Sequence, residues 1–122
     1  MAHYNDGMRP IDLQEALNRA MGEKEFLAML LEEFIAGLAE QIEALRASID
    51  RQDDATLVKL SHTIKGAAGN LSAKALADSA LRLEAAGRAA DFQNSSSLVD
   101  AMAKEVDRLR DYWEEIDWSR VN

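Results

Sequence analysis

A chain of 122 residues and 13.5 kDa with 48% hydrophobic residues is long and apolar enough to bury one sizeable core, which excludes disorder throughout. Six glycines, one proline and seven aromatic residues leave too little turn punctuation for a β-sandwich or barrel, and the absence of cysteine excludes disulfides, c-type haem attachment and Cys-based zinc. The net charge of −8 and pI near 4.7 argue against a general nucleic-acid binder, and with no apolar run long enough to span a membrane and no apolar signal core the expectation is a cytoplasmic protein.

Residues 1–9 lack periodicity and read as a flexible lead-in to a domain over 10–122, and His3 within them is assigned no task. Asp12-Leu13-Gln14-Glu15 has the form of a capping box, predicting a short helix over 12–21 that Gly22 ends. Leu27, Leu31, Ile35, Leu38, Ile42, Leu45 and Ile49 then recur at helical spacing, one continuous stripe on a long amphipathic helix over 23–51. Asp53 or Asp54 caps the next helix, which extends to about Asn70. Ser72 is the cap expected for a helix over 73–90 with Leu76, Ala80 and Leu83 inward, and Asn94 or Ser95 the cap for a last helix over 96–117. That last helix carries Val99, Met102, Val106, Leu109, Trp113 and Ile116 as its apolar stripe. The expected fold is all-α, an antiparallel four-helix bundle with a short extra N-terminal helix covering one end.

The third long helix has a face that the core does not explain. On a wheel of about 100° per residue, Leu57, Leu60, Ile64, Ala67, Ala68 and Leu71 form the core arc and His62 falls on the opposite side. Ala55, Val58, Lys59, Lys65, Gly66 and Gly69 lie beside it. Each glycine costs about 1 kcal/mol of helix stability relative to alanine, so two on an outward face have their simplest use in baring the ground around the His62 ring for a partner surface. Residues 55–77 hold Lys59, Lys65 and Lys74 and no acid, where the chain's average would place about four. That is a positive island on an acidic protein, suited to an anion beside an accessible imidazole.

His62-Thr63-Ile64-Lys65-Gly66-Ala67-Ala68-Gly69-Asn70-Leu71 resembles the His-x-x-Lys-Gly signature of histidine-containing phosphotransfer (HPt) domains. Phe26-Leu27 through Phe34 resembles the family's preceding helix, and Leu76 through Leu83-Glu84-Ala85-Ala86-Gly87-Arg88 the following one, so that the likeness covers about 11–117. Ser72 stands where many members have glycine, a departure that touches the turn after the site helix. The resemblance implies a phosphorelay carrier in two-component signalling: His62 takes a phosphoryl group from a receiver-domain aspartyl phosphate and passes it to another receiver. Lys65 would neutralise the phosphoryl group, while Val58, Lys59, Gly66 and Gly69 would serve docking. Glu84, where several members place glutamine, and Arg88 are candidates for orienting the ring.

Imidazole suits this chemistry, being nucleophilic at neutral pH without a partner base. No phosphate-binding loop or magnesium-binding carboxylate set accompanies it, so no autonomous kinase activity, no metal site and no cofactor are expected, with Mg²⁺ supplied by the receiver. The implied partners are response-regulator receiver domains and a hybrid sensor histidine kinase, met by a monomer. Two alternatives stand beside this: a non-catalytic helical adaptor docking through the same face, and the phosphoacceptor domain of a larger hybrid or chemotaxis-type kinase. A di-metal bundle is disfavoured because no Glu-x-x-His pair or His-x-x-x-His occurs.

Overall fold

The computed structural model describes residues 9–121; His3 and all of the lead-in except Arg9 lie outside the described residues. Five α-helices follow in order: α1 (Leu13–Arg19), α2 (Lys24–Asp50), α3 (Asp54–Asn70), α4 (Lys74–Arg88) and α5 (Phe92–Glu115), with a 3₁₀ turn at Trp118–Arg120. No strand occurs among the described residues. Connections of three residues force the long helices to alternate in direction. They form a closed ring in which α2 packs on α3, α3 on α4, α4 on α5 and α5 back on α2. The α2 stripe enters the core as its spacing requires, Leu27, Leu31, Leu38 and Leu45 being almost completely buried; each such leucine contributes about 1.5–3 kcal/mol.

The helix ends depart from expectation in an instructive way. The connections 51–53, 71–73 and 89–91 share one turn, with its middle residue, Gln52, Ser72 or Ala90, at positive φ. In each, the next backbone N–H donates back to a carbonyl five residues earlier: Asp53 to Ser48, Ala73 to Ala68 and Asp91 to Ala86. The residue after the left-handed position is therefore the cap. Asp53 is the cap of α3, its side chain accepting from the Thr56 N–H. Ser72 is not the cap of α4; Ala73 holds that position without a side-chain bond. Nor do Asn94 or Ser95 cap α5, which starts at Phe92 behind Asp91 and ends at Glu115. The Ser95 hydroxyl instead donates to the Asp91 carbonyl from inside the helix.

Helix α1 covers the end of the bundle where α3 turns into α4. Asp12 caps α1 as expected, but Glu15 does not reach back to close the capping box. The Asp12 N–H donates to the Ser72 carbonyl, and the Glu15 carboxylate accepts from the Ser72 hydroxyl at 2.9 Å and from Lys74 at 3.1 Å. Arg19 donates to the Gly69 carbonyl at 2.7 Å. These contacts hold Ser72 at φ 60°, the conformation in which glycine is ordinarily favoured.

Candidate functional site

Helix α3 presents its two faces as the wheel predicts at most positions. Leu57, Ile64, Ala68 and Leu71 are buried, whereas Leu60 and Ala67 are only half-buried at the edge of the arc. Ser61 takes a core position that the apolar pattern passes over, its hydroxyl satisfied by donating to the Leu57 carbonyl. On the opposite side the His62 side chain is 65% exposed, Lys59 and Gly66 are exposed, and Lys65 lies one turn after His62. A Cβ built on Gly66 or Gly69 meets nothing within 4 Å, so neither glycine is there to let another helix approach.

The close-packing glycine is Gly87 on α4. Its Cβ would sit 3.0 Å from Val58 Cγ2 and 3.3 Å from the Leu57 side chain, so the α4 backbone lies directly against side chains of α3. Val58 is accordingly half-buried against α4 and contributes only one edge to the outward face on which the sequence put it.

That approach brings α4 side chains under the His62 ring. Glu84, whose side chain is only 5% exposed, receives three donors on its two oxygens. Lys65 Nζ donates to Oε1 at 2.7 Å, Arg88 Nη2 donates to Oε2 at 2.8 Å, and His62 Nδ1 lies 3.1 Å from the same Oε2. Hydrogen bonds from Lys65 and then Arg88 outweigh burial and hold the Glu84 carboxyl down at about 2, against an ordinary 4.5. At neutral pH the group is thus a carboxylate, which only accepts, so the His62 nitrogen facing it carries the proton. In the neutral ring this leaves the lone pair on the other nitrogen, Nε2, of an exposed side chain.

The positive island is smaller than the sequence stretch alone implies, because the fold brings acids to it from elsewhere. Lys65 is paired with Glu84 and Lys74 with Glu15. Among the described residues, Lys59, Lys65 and Arg88 still outnumber the one carboxylate paired with His62, Glu84. Glu84 is the residue that residue-by-residue reading underweights. It had one signal of its own, a charge one residue after Leu83 and four after Ala80, on the buried face of α4.

The sequence profile of the Hpt domain family matches residues 29–112, a span that holds His62, Lys65, Glu84 and Arg88. The fold is similar to that in the crystal structure of histidine-containing phosphotransfer protein B (HptB) from Pseudomonas aeruginosa PAO1, with a TM-score of 0.77 at 23% identity over 93% of this chain and 97% of that one. No curated protein matches the chain in sequence.

Proposed function

The chain belongs to the Hpt domain family, and we propose on that premise that His62 is the residue that carries the phosphoryl group. The protein is a phosphorelay carrier in two-component signalling. The observation that supports His62 as its acceptor is the Glu84 carboxylate at Nδ1, which fixes the tautomer with Nε2 unprotonated on an exposed ring. In the proposed transfer, Nε2 attacks the phosphorus of a receiver's aspartyl phosphate. The N–P bond forms, the bond from phosphorus to the aspartyl oxygen breaks, and the aspartate leaves as carboxylate. The proton on Nδ1 stays in place, and Glu84 offsets the positive charge that the ring acquires. Attack by a second receiver's aspartate on the phosphorus reverses the sequence.

Such transfer needs positioning and charge neutralisation more than covalent help, and a receiver's own carboxylates and Mg²⁺ supply the remainder. The partners in this reading are response-regulator receiver domains, including that of a hybrid sensor kinase, met by a monomer in the cytoplasm. No helix among the described residues is long and apolar enough to cross a membrane. The test is incubation with a phosphorylated receiver domain. An acid-labile, alkali-stable phosphoryl adduct at His62 Nε2, seen by phosphorus NMR, is the expected product; labelling at another residue, or none, overturns the assignment.

Two further outcomes follow from the geometry around His62. Lys65→Ala is expected to slow transfer and shorten the lifetime of phospho-His62 by roughly tenfold, the scale of one charge-assisted hydrogen bond, with a smaller effect on receiver affinity. Collapse of affinity at wild-type lifetime would make Lys65 a docking charge. Gly66→Leu is expected to stabilise the free domain by up to about 1 kcal/mol, since its Cβ meets nothing within 4 Å, while weakening receiver docking. Thermal midpoint and receiver affinity measured on the same variant decide it, and a fall in stability at unchanged affinity would make Gly66 a packing residue.

A further inference from the structure

We infer that Glu84 is a resident competitor anion, which occupies the Lys65 and Arg88 cations that a phosphoryl group on His62 would draw on and so keeps that group readily passed on instead of stored. This rests on His62 being the phosphoacceptor. In the unmodified domain both cations already point at the carboxylate, at 2.7 and 2.8 Å. A phosphoryl group carries close to two negative charges and three strong acceptor oxygens, and besides the exposed Lys59 one turn before His62 the cations beside the ring are those same two. At Lys65 and Arg88, phosphorylation therefore does not fill an empty cationic site. It opens a competition between two anions for donors that one of them already holds.

The two sides of that competition differ in freedom. The Glu84 side chain is 5% exposed, on the helix packed against α3, so its charge lies beneath the ring whatever His62 carries. Lys65 and Arg88 are 31% and 65% exposed on long flexible stems and are the groups able to turn outward. When they do, the carboxylate loses part of its compensation in a poorly solvated place, an unfavourable change that the phosphorylated state has to absorb. The same carboxylate holds the proton on Nδ1, which keeps the phosphorylated ring in its cationic form, a better leaving group than a neutral imidazole. Both effects raise the tendency of phospho-His62 to give up its phosphoryl group. Glutamine in this place would preserve an acceptor for the Nδ1 proton while removing the charge, leaving Lys65 and Arg88 available to an anion at Nε2.

The experiment compares wild type with Glu84→Gln, and with Glu84→Ser should the glutamine variant fail to fold. The unphosphorylated domains are titrated with inorganic phosphate and followed by the His62 ring resonances, whose nitrogen shifts also report the tautomer. The domains phosphorylated by a receiver are followed for phosphohistidine lifetime and for the position of the transfer equilibrium. The charge-removed variant is expected to bind phosphate about tenfold more tightly, to hold phospho-His62 about tenfold longer and to shift the equilibrium toward the domain by a similar factor. A merely structural role for Glu84 would loosen the site and move phosphate affinity the other way. Phosphate binding no tighter than wild type in a folded variant overturns the inference. Failure of the wild type to accept a phosphoryl group would overturn the phosphoacceptor assignment instead, and the phosphate titration still decides whether Glu84 competes for the cations.

Discussion

A domain carrying His62→Gln is expected to take up no phosphoryl group from a phosphorylated receiver while unfolding within about 0.5 kcal/mol of wild type, the usual range for an exposed position. The loss is complete because a glutamine amide nitrogen has its lone pair delocalised and offers no nucleophile where Nε2 stood. The stability is preserved because the ring is 65% exposed and leaves no cavity in the core. Its polar contact to Glu84 is dispensable, because Lys65 and Arg88 still hold the carboxylate. The chain has two histidines, so any residual acid-labile labelling of the variant would have to be sought at His3 and would move the acceptor. A large drop in thermal midpoint would show that the ring packs into the fold and that its outward placement on α3 is wrong.

The bundle was legible because its long helices obey a single rule. The stripe from Leu27 to Leu45 on α2 and that from Val99 to Leu109 on α5 repeat at helical spacing and are buried in the same order. The helix ends were less legible. Left-handed turn positions are filled by Gln52, Ser72 and Ala90, residues that carry no glycine-like mark, so side-chain chemistry points to caps at Ser72 and at Asn94 or Ser95 although the turn geometry puts them at Ala73 and Asp91. Within the site, His62 and the open ground at Gly66 and Gly69 could be read from one helix by itself, since facing away from the core is a property of one wheel. Glu84 and Gly87 act through a second helix, and their meaning depends on where α3 lies against α4. That distance is set by packing and is invisible to periodicity. The charge island looks larger in the sequence than in the fold for the same reason, as Glu15 and Glu84 reach Lys74 and Lys65 across 59 and 19 positions of sequence.

Gly87→Leu is expected to destabilise the domain by about 2–3 kcal/mol, a fall in thermal midpoint on the order of 10 °C, and to impair transfer even though Gly87 touches no reacting atom. A bare Cβ at this position already lies 3.0 Å from Val58 Cγ2 and 3.3 Å from Leu57 Cδ2, so the first added carbon is in conflict and the rest of a leucine has no space. The valine methyl cannot yield easily, because a β-branched side chain in a helix has one strongly preferred rotamer. Relief comes only by moving α3 from α4, which empties part of the core around Leu57 and Leu83. Those are also the helices that carry His62 and Glu84, so the 3.1 Å contact fixing the ring tautomer lengthens with them. Gly87→Ala separates the two contributions. Its gain in helix propensity, about 1 kcal/mol, offsets a methyl clash of a few tenths of an ångström, and a nearly unchanged midpoint is expected. Adding Val58→Ala removes the methyl that the new Cβ meets, so the penalty of Gly87→Leu should shrink in that background, a coupling measurable by a double-mutant cycle. A leucine variant that melts with wild type, or a cycle with no coupling, would mean that α3 and α4 do not touch at Gly87 and that the Glu84 contact to His62 is set by something else.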